Sequence, residues 1–226
     1  MLRDYGIRRA RPFDAPFVPQ NEQGKRAVPL RTVFYGLGLR VACVSAQCTC
    51  KILEFQARCE KMKLTFSIAT QTDAPVLAAL HCAVAEDLTR RYGRGPWSWR
   101  TTEKGVLLGM RRSRVLVARR GRAIVGTLHL PTKKPWAIDV SYFTPVNKAL
   151  YLISMAVLPT LQRQGIGRQL VREAVKQARA WPADAIRLDA FDAEAGAGAF
   201  YAKCGFREVG RVVYRKAPLI YFEFVL

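Results

Sequence analysis

The segment Gln162-Arg163-Gln164-Gly165-Ile166-Gly167-Arg168 constrains this chain more than any other. It follows an apolar run, Tyr151 to Val157, and leads into a helix-patterned stretch, Arg168 to Ala180. A strand, a glycine loop and a helix start form an anion site. The free N–H groups of the first helical turn point outward, and the helix dipole favours negative charge there. Gly165 and Gly167 carry no Cβ, so the backbone can approach a phosphate closely. A pyrophosphate is the guest this arrangement predicts. The loop is not a Walker loop, because no Gly-Lys-Ser/Thr follows, and its spacing fails the dinucleotide fingerprint.

The flanking sequence reads as alternating α and β elements. Leu64, Phe66 and Ile68 alternate as in a strand. Thr72-Asp73-Ala74-Pro75 opens a helix running to Tyr92, with Val76, Leu77, Leu80, Val84 and Leu88 on one face. Thr101 to Arg112 reads as a second, weaker helix. Val115–Ala118 and Ala123–Leu130 read as a strand pair turning at Arg120-Gly121-Arg122, and Pro131 to Pro135 breaks the second strand. Tyr151 to Val157 reads as one buried strand. In the helix after the glycine loop Ile166, Leu170, Ala174 and Ala178 share a face, and Trp181-Pro182 ends it. Ile186, Leu188 and Ala190 alternate with Arg187, Asp189 and Phe191 in a further strand. A short helix from Ala197 to Lys203 stops at Gly205, a left-handed cap followed by Phe206. Phe206–Tyr214 and Leu219–Val225 read as a closing hairpin.

Residues 1–61 differ. Arg8, Arg9, Arg11, Pro12, Pro16, Pro19 and Gly24 show no steady period, so this part is expected to be a disordered or loosely structured extension, and 62–226 the functional domain. Of the six cysteines, Cys43, Cys48, Cys50 and Cys59 cluster there. No second pair stands at zinc-finger spacing, so reduced thiols and no metal are expected. No stretch reaches about 18 apolar residues and no signal-peptide core is present, which points to a cytoplasmic protein with no membrane partner. The net charge of +20 is spread over both parts. It favours anionic partners, but no basic block with interleaved aromatics appears, which argues against nucleic acid.

Three further segments join the glycine loop in one pattern: Ile68-Ala-Thr-Gln-Thr-Asp-Ala-Pro75, Ser154-Met-Ala-Val-Leu-Pro159, and Ala199-Phe-Tyr-Ala-Lys-Cys-Gly-Phe206. Together they resemble the GNAT superfamily of N-acetyltransferases across residues 62–226. The resemblance implies an α/β fold with a mixed, mostly antiparallel central sheet flanked by helices, here with an N-terminal extension. It implies acetyl-CoA as co-substrate, no metal, and a primary amine as acceptor, attacking the thioester directly in a ternary complex. The family's central strand splays from its neighbour; Met155, Ala156 and Val157 match the residues whose amides bind pantetheine and the thioester. Gln162, Arg163, Gln164, Gly165, Ile166, Gly167 and Arg168 match the pyrophosphate loop. Tyr201 matches the general acid, which a phenol can be because it stays protonated at neutral pH. Where the family often has Asn seven residues earlier, this chain has Glu194.

The general base is left open. His129 and Asp139 are candidates, each also readable as an ordinary buried or surface residue. Glu86, Asp87 and Glu103 can hold a cationic amine or be solvated charges. Trp97, Trp99, Trp136, Tyr142 and Phe143 can line an acceptor pocket or belong to the core. The closing hairpin can pair across a homodimer. The alternative reading is a non-catalytic acyl-CoA sensor or interaction module.

Overall fold

The computed structural model describes residues 63–226. The expectations for residues 1–61, including the cysteine cluster, lie outside the described residues. The elements run β1 (Leu64–Ile68), α1 (Ala74–Tyr92), α2 (Glu103–Met110), β2 (Arg114–Arg120), β3 (Ala123–Leu130), β4 (Ala149–Tyr151), β5 (Ile153–Val157), α3 (Ile166–Ala180), β6 (Ala185–Phe191), α4 (Gly198–Lys203), β7 (Arg207–Tyr214) and β8 (Ala217–Val225). The strands form two four-stranded sheets, β1-β2-β3-β5 and β4-β6-β8-β7. Among the described strands only β4 and β6 pair in parallel.

Local chemistry sets the helix starts. The amide of Thr70 donates to the Asp73 carboxylate at 2.8 Å, a capping-box contact ahead of α1, and Pro75 stands in its first turn. Arg119 donates to both Asp73 oxygens at 2.8 Å, pinning that cap to β2. Thr102 accepts the Gly105 amide at 3.1 Å and starts α2.

The apolar face of α3 supplies Ile166, Leu170, Val171, Ala174 and Ala178 to the main core, against Leu128, Leu130, Ile186, Leu188, Ala190, Ile220 and Phe222. Each large aliphatic side chain buried there contributes about 1.5–3 kcal/mol. A second core lies under α1 and α2, with Leu77, Leu80, Val106, Val115 and Val117. At the β7–β8 turn Arg215 and Lys216 both take positive φ, 48° and 67°. That is the backbone of a tight two-residue hairpin loop, made here without glycine.

One expectation is corrected. Tyr151 to Val157 is not a single strand but two, divided at Leu152. Pairing explains the division. The Tyr151 amide donates to Pro131 O at 3.0 Å, at the end of β3, and the next amide, Leu152, donates to Arg187 O on β6 at 2.9 Å. The chain is thus bonded on both sides at 151–152. Beyond that point β5 pairs with β3 alone, while β6 pairs with β8 along its other edge.

Candidate active site

The division opens a gap between β5 and β6. The Leu158 amide donates to Val125 O at 2.9 Å, and Ala156 and Val157 stand opposite Thr127 and Gly126. Amides alternate in direction along a strand, so Val157 and Met155 turn their N–H groups away from β3, into the gap. Val157 O faces the same way and accepts from Gln162 Nε2 at 3.1 Å. The bend falls at Ser154, whose φ is 50°, inside a register irregularity against β3.

The glycine loop closes one end of this gap. Gly165, immediately before α3, has φ 80°, a backbone that side-chain-bearing residues rarely adopt, and no atom lies within 4 Å of where its Cβ would be. Arg163 is also left-handed, at 61°. The first i to i−4 bond of α3 runs from the Gln169 amide to Gly165 O at 3.1 Å, so the amides of Ile166, Gly167 and Arg168 precede the helical ladder. Gly167 also takes part in packing. A Cβ on it would lie 3.2 Å from both Met155 Cε and Phe200 Cζ. Its bareness serves the packing of α3 on β5 and α4, while Gly165 keeps the open approach. The loop's side chains are largely committed elsewhere: Ile166 is buried, Gln164 accepts from Arg120 at 3.1 Å, and Arg168 donates to Lys203 O at 3.2 Å.

Tyr201 reaches the gap from α4. Its ring packs among Phe200, Phe206 and Phe222, with centroids 5.2, 5.8 and 6.2 Å away. Its hydroxyl lies 3.7 Å from Met155 Sδ on β5. Burial pushes the phenol's pKa well above its ordinary value, with Cys204 and Asp189 adding to the shift, so it is protonated at neutral pH. Gly205, at φ 91°, lets the chain turn after α4 and seats Phe206 in the core.

The opposite face of the second sheet carries two cross-strand rows of polar and aromatic residues. One row is Asp189, Tyr221 and Gly210, the other Arg187, Glu223 and Arg207. The connection between β3 and β4 lies across them. Tyr221 donates to Ala137 O and accepts the Asp139 amide at 3.2 Å. Phe143 packs on Tyr221 at 5.4 Å, and Tyr142 fills the space over Gly210. Glu223, 1% exposed, receives Arg187 at 3.4 Å, Arg207 at 3.2 Å and the Thr144 amide at 3.3 Å.

Asp189 is the group that sequence reasoning missed. It lies two residues past Arg187, where β6 has left the central strand. Burial raises its carboxyl pKa, opposed only by its own backbone amide, and its charge is felt at both Tyr201 and Tyr221. The strand alternation marked Arg187 and Asp189 as one face. Nothing local told that the 131–150 connection would cover that face.

The other candidates separate. Asp139 is exposed and caps a turn: its carboxylate accepts from the Ser141 amide at 3.0 Å and hydroxyl at 2.8 Å, contacts that lower its pKa. His129 is buried beneath α2, its Nδ1 3.4 Å from Ser113 Oγ, its Nε2 without a partner among the described residues. Burial, with His81 at 6.2 Å adding, lowers its pKa to about 4. Asp87 pairs with Arg90 and Arg91, and Glu103 is an exposed first-turn residue of α2. Trp97 packs on Phe191 at 5.5 Å, whereas Trp99 and Trp136 are exposed. Glu194 is exposed in a turn closed by Gly196, where any Cβ would meet Phe191 O at 1.8 Å.

Among the described residues no three or more His, Cys, Asp or Glu side chains gather to hold a metal, and no helix is long and apolar enough to cross a membrane.

Known proteins share this fold. The model of the acetyltransferase (GNAT) family matches residues 81–206. An uncharacterized N-acetyltransferase of Bacillus subtilis, YvbK, is 36% identical over 56 residues, which make up 25% of this chain and 36% of that relative. The chain therefore spans about a third of the curated relative it matches. A ribosomal-protein-alanine N-acetyltransferase from Brucella melitensis superposes with TM-score 0.56 at 20% identity, covering 72% of this chain and 99% of its own. PaiA N-acetyltransferase from Thermoplasma acidophilum, solved with coenzyme A, gives 0.58 at 15%, covering 73% and 100%. An aminoglycoside 6'-acetyltransferase type Ii gives 0.53 at 18%, covering 71% and 96%.

Proposed function

Because this chain belongs to the acetyltransferase (GNAT) family, we propose that residues 62–226 are an N-acetyltransferase domain that moves the acetyl group of acetyl-CoA to a primary amine, with Tyr201 as acid and Asp189 as base. The observation that carries this reading is the Tyr201 hydroxyl standing 3.7 Å from Met155 Sδ, on the strand whose amides open into the gap. A buried, protonated donor is thereby held beside the strand expected to bind the thioester.

The residues present fit the co-substrate. Gly165 leaves open space at the start of α3, and the amides of Ile166 to Arg168 are unspent donors for a pyrophosphate. The Val157 and Met155 amides offer donors for pantetheine and for charge developing on the carbonyl oxygen. Asp189 takes the proton that the ammonium must lose before its nitrogen bonds to the acyl carbon. As the carbon–sulfur bond breaks, Tyr201 gives its proton to the leaving sulfur. A carboxyl raised by burial suits the first task, because a base works best with a pKa nearer the working pH.

The fold does not select the acceptor. Its structural neighbours include a ribosomal-protein-S18-alanine N-acetyltransferase and an aminoglycoside 6'-acetyltransferase. The test is turnover of acetyl-CoA with a panel of amines, alongside melting with and without acetyl-CoA. A selective rise in melting temperature is expected. Tyr201→Phe should lower kcat by about 10²–10⁴ with acetyl-CoA affinity kept. Equal turnover by the phenylalanine variant rules it out as the acid.

A further inference from the structure

A cleft of about 480 Å³ lies between the outer face of α1 and the loop that follows it. Cys82, Ala85, Glu86 and Thr89 form one wall; Ser98, Trp99 and Arg100 form the other, with Arg90 and Arg94 at the rim. Most of its polar groups are already engaged. The Thr89 and Ser98 hydroxyls bond at 2.7 Å, Ser98 Oγ also accepts the Gly95 amide at 3.1 Å, and the Cys82 thiol donates to Thr101 O at 3.3 Å. Arg90 is tied to Asp87. Arg94 and Arg100 are different: among the described residues neither has a carboxylate partner. Two arginines without a carboxylate partner among the described residues therefore line a cleft whose lining has a single carboxylate, Glu86. Guanidinium forks match carboxylate and phosphate oxygens in pairs.

The same loop packs beside the strand that carries the proposed base. Trp97 is fixed by its Nε1–H to Gly93 O at 3.1 Å and packs edge-on against Tyr92 and Phe191. Phe191 stands on the Asp189 face of β6, one same-face step of about 7 Å from it. The loop thus runs from Phe191, two residues from the proposed base, to the arginine cleft. Trp99, 80% exposed, is the cleft's outer wall.

We propose that the cleft binds an anionic group of the acceptor, so that the amine delivered to Asp189 belongs to a molecule bearing a carboxylate or a phosphate some bonds away. The inference rests on the acetyltransferase reading for the amine end and on Arg94 and Arg100 for the anionic end. Glu86, in the same lining, disfavours an anion placed beside it.

The test uses the full chain with acetyl-CoA and matched series of alkylamines, ω-amino carboxylates and ω-aminoalkyl phosphates of equal chain lengths. At least a tenfold preference in kcat/KM for one anionic series over the alkylamines is expected, and which series wins identifies the anion. In an Arg94→Ser, Arg100→Ser variant that preference should vanish through KM, with alkylamine turnover unchanged. Equal use of alkylamines, or a preference that survives in the variant, overturns the proposal. A readout independent of turnover is tryptophan fluorescence, since Trp97 and Trp99 flank the cleft. Saturable quenching by the anionic amine in the unmodified chain and not in the variant supports the site even if no acetyl transfer occurs. No quenching in either overturns it.

Discussion

The two faces of the β4-β6-β8-β7 sheet are built from opposite chemistries. One presents Ile186, Leu188, Ala190, Ile220 and Phe222 to α3 and α4 and is closed by apolar packing. The other presents Arg187, Asp189, Tyr221 and Glu223, and is closed by the β3–β4 connection through hydrogen bonds and ring contacts. The apolar face is non-directional and tolerant of shape. The polar face is held by specific partners at specific distances, so it fixes where a carboxylate stands but forgives little. The proposed acid stands on the helix that covers the first face and the proposed base on the second, close enough for the Asp189 charge to be felt at Tyr201.

The comparison is sharpened most by Asp189→Asn. Turnover should fall by about 10²–10⁴, the range for losing a base. Stability should move the other way. The folded-state pKa of Asp189 lies above its ordinary value of 3.8, so the folded chain holds a proton that the unfolded chain has released. Stability therefore drops as pH rises through that window, and unmodified protein carries the deficit at neutral pH. The asparagine variant should melt higher at pH 7 and lose that advantage near pH 3. Turnover of the unmodified enzyme should climb with pH across the folded-state pKa. A variant that melts lower at pH 7 contradicts the buried-charge account.

The next contrast sets Leu188→Ala against Glu223→Gln. Leu188 is fully buried on the apolar face, and its truncation should cost about 2–5 kcal/mol in denaturant unfolding while leaving the amine KM unchanged. Glu223→Gln removes the charge between Arg187 and Arg207 and should cost about 2–3 kcal/mol, less because Arg187 keeps Thr144 O as acceptor. It should also raise the amine KM, since Thr144 loosens the connection beside Asp189. If both variants shift KM alike, the two faces do not divide the labour. The smallest effect is expected at the hairpin. Lys216→Gly relieves a left-handed residue and should add about 1 kcal/mol with no kinetic change.

The apolar face and the glycine loop at the start of α3 were largely legible in the sequence. Periodicity from Ile166 to Ala178, the two loop glycines and Phe200-Tyr201 to Gly205-Phe206 are local patterns, readable within a dozen residues. What they could not tell was that Leu152 would divide the central strand, because that depends on two carbonyls, of Pro131 and Arg187, that arrive from elsewhere. Nor could they tell that Gly167 would also pack against Met155 and Phe200, which come from other elements. The polar face was hardly legible at all. Asp189, Tyr221, Thr144 and Trp97 meet only through sheet register and loop docking. Asp139, chosen as a candidate for its charge, is spent on Ser141, and nothing in its own neighbourhood of sequence separated it from Asp189.

The bonding of β4 and β5 has a consequence for how the molecule could be watched. Tyr151 and Leu152 send consecutive amides to opposite sides, one toward each sheet, while Val157, a few residues on, turns its amide to the open gap. Amide protons that stay bonded until the whole domain opens exchange with solvent on the slowest clock the protein has, and those facing a cleft on a much faster one. Tyr151 and Leu152 should keep the slow clock and Val157 the fast one, so that a single short peptide spanning them carries a built-in reference beside its own reporter. Occupancy of the gap would then be read as the Val157 proton slowing while its neighbours hold their pace, a measurement needing neither a label nor knowledge of the acceptor.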